Sequence, residues 1–245
     1  MYTILVALGV GAVVGAIWTL LGLWKTWAFG IVLGLTVALV TFILSSRRTA
    51  KRIEPVFEQI QRQIQQGNTK LALRSLEELL PLGKWQVLLT GQLHAQIGSL
   101  CFTMGDEARA LEHLQKASPR VADGQLFLAS LHYRRRQVDE AKKVLENAIR
   151  YNKKQMILYN VYAWILNKEG DRDGAIEQLL RCLKVESGNE ATKDNLQRVQ
   201  NGKKMNMKKF GMGWYSLQLE KLPASMRQGQ AVVGRPGFRQ KRGRR

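Results

Sequence analysis

Residues 2–24 carry no charged side chain, and 27–46 form a second uncharged run. Each is long enough to cross ~30 Å of hydrocarbon as a helix. Only Lys25 and Thr26 separate them, so residues 1–46 predict a transmembrane helical hairpin with its turn at one membrane face. A cleaved secretory signal would need a basic start and a shorter apolar core, and a second span would not follow at once. Beyond residue 52 the pattern changes. Apolar positions recur three and four apart, with Gly or Pro at the breaks, so helices are predicted throughout 53–202. After Gly202 this period fails. Residues 203–245 are expected to form a basic, largely disordered tail, with 210–222 either folded back on the helices or lying in the membrane interface. The predicted fold class is all-α.

Each apolar run contains Gly-x-x-x-Gly, Gly11 with Gly15 and Gly30 with Gly34. Residues four apart share a helix face, and glycine lets two backbones approach closely. Two uses stay open: packing within the hairpin, or between copies. Trp24 and Trp27 sit where an interfacial aromatic belt is expected. A basic linker follows, residues 47–52, with Arg47, Arg48, Lys51 and Arg52. The turn offers only Lys25, so the positive-inside rule puts both termini in the cytoplasm and the protein in an inner (plasma) membrane, with two spans. The four basic residues would then lie at anionic headgroups.

Within 53–202 the chain repeats itself. Ala141 and Ala175 lie 34 residues apart, as do Leu145 and Leu179, and Ala148 and Cys182. A helix–turn–helix unit at this period resembles the tetratricopeptide (TPR) repeat. The best unit, 156–189, has Tyr159, Tyr162, Ala163 and Leu166, then Gly170 and Asp171 at the turn, then Ala175, Leu179 and Cys182. Unit 122–155 follows with Leu128, Ala129, Ala141, Leu145 and Ala148. An earlier unit has Ile97, Gly98, Gly105, Asp106, Ala110, Leu114 and Ala117, and a degenerate first one has Ile60, Gly67, Asn68, Ala72 and Leu76. No unit has the family's tryptophan at the start of its first helix. Lys153 and Ser187 stand where the family's terminal proline would be. The resemblance implies a solenoid of about four helix pairs, and residues 189–200 read as its capping helix.

In this family the first helices of the pairs line a concave groove that binds protein or peptide partners. The matching positions here are Ser130, Tyr133, Arg134, Asn160, Trp164, Asn167 and Lys168. A large aromatic on a groove wall is a good peptide anchor, and Trp164 is the candidate; its alternative is packing against a neighbouring helix. Asn160 matches one member of the clamp by which some TPR proteins hold a chaperone's C-terminal carboxylate. The other clamp positions are unmatched, which excludes that ligand. Arg134, Arg135, Arg136, Lys142 and Lys143 form a basic cluster suited to an acidic peptide or to a solvated helix end.

Charge widens the choice of partner. The net charge is +19, and from Lys203 onward there are twelve Lys/Arg and one acid, Glu220. Arg47, Arg48, Lys51 and Arg52 near the membrane, and Lys203, Lys204, Lys208, Lys209, Arg239, Lys241, Arg242, Arg244 and Arg245 in the tail, suit anionic lipid or nucleic acid, RNA or ribosome included. A protein-docking tail is the third reading. Cys101 and Cys182 lack metal-ligand spacing, and His94, His113 and His132 are isolated in sequence. No motif for catalysis, metal or cofactor appears. The expectation is a non-enzymatic, membrane-anchored TPR scaffold that binds a protein partner. The alternative is a membrane-tethered nucleic-acid- or ribosome-binding factor that uses the basic tail.

Overall fold

The computed structural model describes residues 2–20, 27–85 and 89–221. Among them the regular elements are helical. Two apolar helices come first, α1 (Tyr2–Leu20) and α2 (Trp27–Gln65). Then follow α3 (Thr69–Leu79), a 3-10 segment (Leu80–Trp85), α4 (Leu89–Met104), α5 (Glu107–Gln115), α6 (Ala122–Arg134), α7 (Val138–Tyr151), α8 (Met156–Lys168), α9 (Arg172–Val185) and α10 (Glu190–Gln200). The predicted hairpin turn, with Lys25 and Thr26, lies outside the described residues, as do Trp24 and the side chain of Trp27.

Helices α1 and α2 pack through their small residues. A Cβ added to Gly11 would come within 2.5 Å of the Gly34 carbonyl oxygen, and one on Gly34 within 2.8 Å of the Gly11 oxygen. Gly15 meets Gly30 in the same way. The two motifs therefore face each other inside the hairpin. Thr3, Ala7 and Gly11 are buried on this seam, while Leu5, Leu8, Leu35 and Leu39 point outward and are more than half exposed. Apolar side chains turned away from the protein all round such a pair fit a lipid surrounding.

Helix α2 does not stop where its apolar part ends. The basic segment read as a linker continues the helix, and α2 runs on to Gln65 with Pro55 inside it. Its last part carries Ile60, which is buried among Ala72, Leu76 and Leu93. The first helix of the first repeat is thus the extension of the second apolar helix.

Four helix pairs follow from here: the end of α2 with α3, α4 with α5, α6 with α7, and α8 with α9, closed by α10. The architecture is a TPR-like solenoid. Small residues set the spacing within pairs. Gly98 on α4 leaves no room for a Cβ beside Leu114 on α5, and Ala129, Ala141, Ala163 and Ala175 are fully buried at the corresponding contacts. Three of the turns between paired helices use a left-handed glycine: Gly67, Gly105 and Gly170. Asp106 and Asp171 then cap α5 and α9 by accepting from Arg109 N–H and Gly174 N–H. The third turn departs from this scheme. Arg136 occupies the left-handed position, at φ 62°, which a side chain adopts at some cost.

The interior forms two clusters. One gathers α2 to α6, the other α6 to α10, and Phe127 packs against both. The second cluster contains more than helices. Met205, Met207, Trp214, Tyr215 and Leu217 belong to it, so the folded chain continues past Gly202 to Lys221. Of the two readings of 210–222, the described part folds back on the helices, and residues 222–245 lie outside the described residues.

The hairpin seam makes a direct prediction. Gly34→Leu should weaken the hairpin by about 1–3 kcal/mol through overpacking, whereas Gly9→Leu should be silent, because nothing lies within 4 Å of a Cβ there. Titration of the purified chain with SDS, followed by far-UV circular dichroism, distinguishes the two variants.

Candidate docking face

The first helices α4, α6 and α8 line one face of the solenoid, and the chain beyond α10 turns back across it. The return begins in a buried amide network. Asn160 on α8 donates to the Met156 carbonyl and to Thr192 Oγ1, each at 2.9 Å. Its own carbonyl oxygen accepts from Asn195 on α10 at 3.0 Å. Asn195 Oδ1 in turn accepts from the Asn206 backbone N–H at 2.7 Å. One buried asparagine thus ties the last repeat to its cap, and the cap to the returning strand of chain. Asn160 is fully buried, so it is a joint of the fold and not an open groove position.

The next anchor is aromatic. Trp214 is fully buried and meets Trp164 edge-on, with ring centroids 5.0 Å apart. Tyr133 of α6 closes on the other side of Trp164 at 5.7 Å, also edge-on. The ammonium of Lys168 lies 5.2 Å from the centre of the Trp164 ring. Trp164 is therefore covered by the chain's own tail, at 5% exposure. Of the two readings of this residue, packing describes it. Trp214 keeps its indole N–H satisfied by donating to Glu220 at 3.2 Å, the one acid in the tail.

Backbone and side-chain bonds then fix the returning segment to α6. Ser130 Oγ donates to the Leu217 carbonyl at 2.8 Å, and Arg134 donates to Gln218 Oε1 at 3.0 Å. The same Arg134 pairs with Glu107 at 2.7 Å and lies over the Phe102 ring. Arg135 approaches the same carboxylate. Part of the basic cluster at the end of α6 is thus used inside the protein. Burial raises the Tyr133 phenol above its ordinary pKa, and a hydrogen bond to Glu169 adds to the effect. Asn167 is half-buried at the end of α8.

The sequence positions read as a partner groove therefore do come together, since Ser130, Tyr133, Arg134 and Trp164 form one site. Its occupant is the segment 205–218 of the same chain. What stays open is a cleft of about 380 Å³ beside that segment. Ser99, Phe127 and Ile157 from three successive first helices form part of its lining, and Met212 and Leu217 of the tail form another part. Met212 is exposed at its edge, and Asp123 supplies a carboxylate. Sequence reasoning missed this cleft, because its wall is built by residues outside the repeat.

The remaining basic residues stay on the surface. Arg47, Arg48, Lys51, Lys203, Lys204 and Lys208 are exposed, and Lys209 pairs with Asp194 at 3.6 Å. The Arg52 side chain and Arg239, Lys241, Arg242, Arg244 and Arg245 lie outside the described residues. Cys101 and Cys182 are buried, and burial pushes both thiols up, which suits packing and not nucleophilic chemistry. His94 and His113, far apart in sequence, meet across α4 and α5 with Nδ1 atoms 3.1 Å apart. Among the described residues no group of three or more metal-ligating side chains forms.

No protein-family model matches this chain, and no curated protein matches its sequence. Solved structures with a similar helical course include two crystal structures of MamA. One is 16% identical, covers 70% of this chain and 95% of that one, and has a TM-score of 0.48. The other is 17% identical, covers 69% and 97%, and has a TM-score of 0.49. A MamA RS-1 ArsTM double mutant is 15% identical over 73% and 96%, with a TM-score of 0.47.

Two predictions follow from these contacts. Trp214→Ala removes a fully buried indole, at a cost of about 3–5 kcal/mol. Hydrogen exchange should then show loss of protection across residues 207–219 while α4 and α5 keep theirs. The histidine pair makes stability depend on pH. Burial lowers the pKa of both imidazoles, and for His94 the repulsion of His113 adds to this. The neutral pair therefore stabilises the fold fully above the ordinary histidine value, and this contribution is lost as pH falls through the lowered values. The thermal midpoint should drop between about pH 7 and pH 5, near the ordinary histidine range, and His113→Gln should flatten that drop.

Proposed function

We propose that this chain is a membrane-anchored helical-repeat scaffold that holds a protein partner at the cytoplasmic face of the membrane. The hairpin is its anchor and the concave face of the solenoid is its docking side. The observation that carries the reading is the open apolar cleft between α4, α6, α8 and the folded-back tail. It offers Phe127, Ile157 and the exposed Met212 to a partner's apolar side chain, with Asp123 near enough to favour a basic neighbour. Methionine suits such a surface, because its flexible thioether adapts to different shapes.

In this reading Ser130, Tyr133, Arg134 and Trp164 act through the tail. They hold the segment whose Met212 and Leu217 wall the cleft. The apolar, outward-facing side chains of α1 and α2 support the anchor. The basic stretch Arg47, Arg48 and Lys51 supports placement of the solenoid on the cytoplasmic side. Confinement to a membrane raises the local concentration of anything that docks there.

The test is photocrosslinking in intact cells. A crosslinking amino acid at Met212 should capture a protein partner, and one at Leu180, exposed on α9, should not. Equal capture at both sites, or none at Met212, would refute the docking side. Carbonate extraction of the same membranes should leave the chain in the pellet.

A further inference from the structure

We infer that the 3-10 segment Leu80–Trp85 is a third membrane contact, which lies in the headgroup region and presses the first repeat against the bilayer. The inference rests on the anchor reading above and adds an orientation to it.

The geometry begins with α2. Its apolar span ends at Arg48, and the helix stands out beyond it by 17 residues to Gln65, about 25 Å at 1.5 Å per residue. Helix α3 packs against this stem and runs back along it. Its 11 residues return about 16 Å toward the membrane. The six residues of the 3-10 segment add up to about 12 Å more at ~2 Å per residue. Together these lengths bring the chain back to the level of Arg48.

An independent contact agrees. The 3-10 segment touches α1. Helix α1 is described only over Tyr2–Leu20, and all of it belongs to an apolar span. Gly11 lies against Gly34 and Gly15 against Gly30, so α1 is antiparallel to α2 and its Tyr2 end is level with the Arg48 end of the second span. A segment that leaves α3 and reaches α1 therefore meets it at the end where hydrocarbon gives way to headgroups.

The chemistry fits that depth. The segment reads Leu-Pro-Leu-Gly-Lys-Trp. Leu82 is apolar, yet 41% of its surface stays exposed. Arg47, Arg48 and Lys51, exposed on α2 at the same level, would meet the phosphates of the same headgroup layer. The occupant is thus an anionic bilayer surface.

The experiment uses the full chain in vesicles of equal parts phosphatidylcholine and phosphatidylglycerol. An environment-sensitive fluorophore is attached at Leu82→Cys, at Leu39→Cys in the hairpin, or at Leu180→Cys on α9. The native Cys101 and Cys182 are buried, and the unmodified chain serves as the blank. Spin-labelled lipid with its nitroxide near the headgroup should quench position 82 more strongly than position 39, as for a shallow interfacial site. A nitroxide deep in the acyl chain should quench position 39 more than 82, and position 180 should respond to neither. If position 39 is quenched while 82 behaves like 180, the contact is disproved and the anchor stands. If neither 39 nor 82 is quenched, the anchor reading fails as well.

Discussion

Close approach of antiparallel helices is the constraint on which the rest of this structure depends. In the hairpin it is met by Gly11, Gly15, Gly30 and Gly34, whose backbones touch. In the solenoid it is met by Gly98, Ala129, Ala141, Ala163 and Ala175. The driving forces differ. In the proposed lipid setting there is no hydrophobic reward for bringing two helices together, so the seam would rely on van der Waals fit. In water the same fit also removes apolar area from solvent. Small residues, glycine in the hairpin and mostly alanine in the solenoid, set the close approach in both, and α2 belongs to both.

The solenoid is finished by chain that is not repeat. Stacked pairs leave the face of the last first-helix open, and α8 is the most apolar of the helices after α2, with Trp164 in its middle. Leaving that ring in water would be unfavourable. The segment after α10 covers it with Trp214, Tyr215 and Leu217. Ordering this segment costs conformational entropy, and the buried aromatics and the bonds from Ser130 and Arg134 offset that cost. The face formed by α4, α6 and α8 is thereby divided into a covered part and an open cleft.

Much of this was legible in the sequence. The two apolar runs, the turns at Gly67, Gly105 and Gly170 and the capping helix follow from local pattern, and the repeat follows from matches 34 residues apart. The candidate groove was legible only in part. The repeat register brings Ser130, Tyr133, Arg134 and Trp164 to one face, but Ser130, Trp164 and Asn160 are all buried there. The environment of Asn160 depends on Thr192 and Asn195, which belong to another helix. The tail was harder still. Met207, Trp214 and Leu217 have no helical period, so the sequence left open whether 210–222 folds back on the helices or lies in the membrane interface. The apolar residues are concentrated before Lys221, where the fold needs them. The meeting of His94 and His113 could not be read at all, since it depends on how α4 crosses α5.

The continuity of α2 has a mechanical consequence. A span joined to its cargo by a loose loop can tilt without moving that cargo, but here the joint is helix throughout. Membrane helices adjust their inclination to the thickness of the surrounding bilayer. With a lever arm of about 25 Å, a change of about 10° in inclination would carry Gln65 sideways by about 4 Å. In the proposed membrane setting, lipid composition would thereby become an input to the attitude of the whole solenoid.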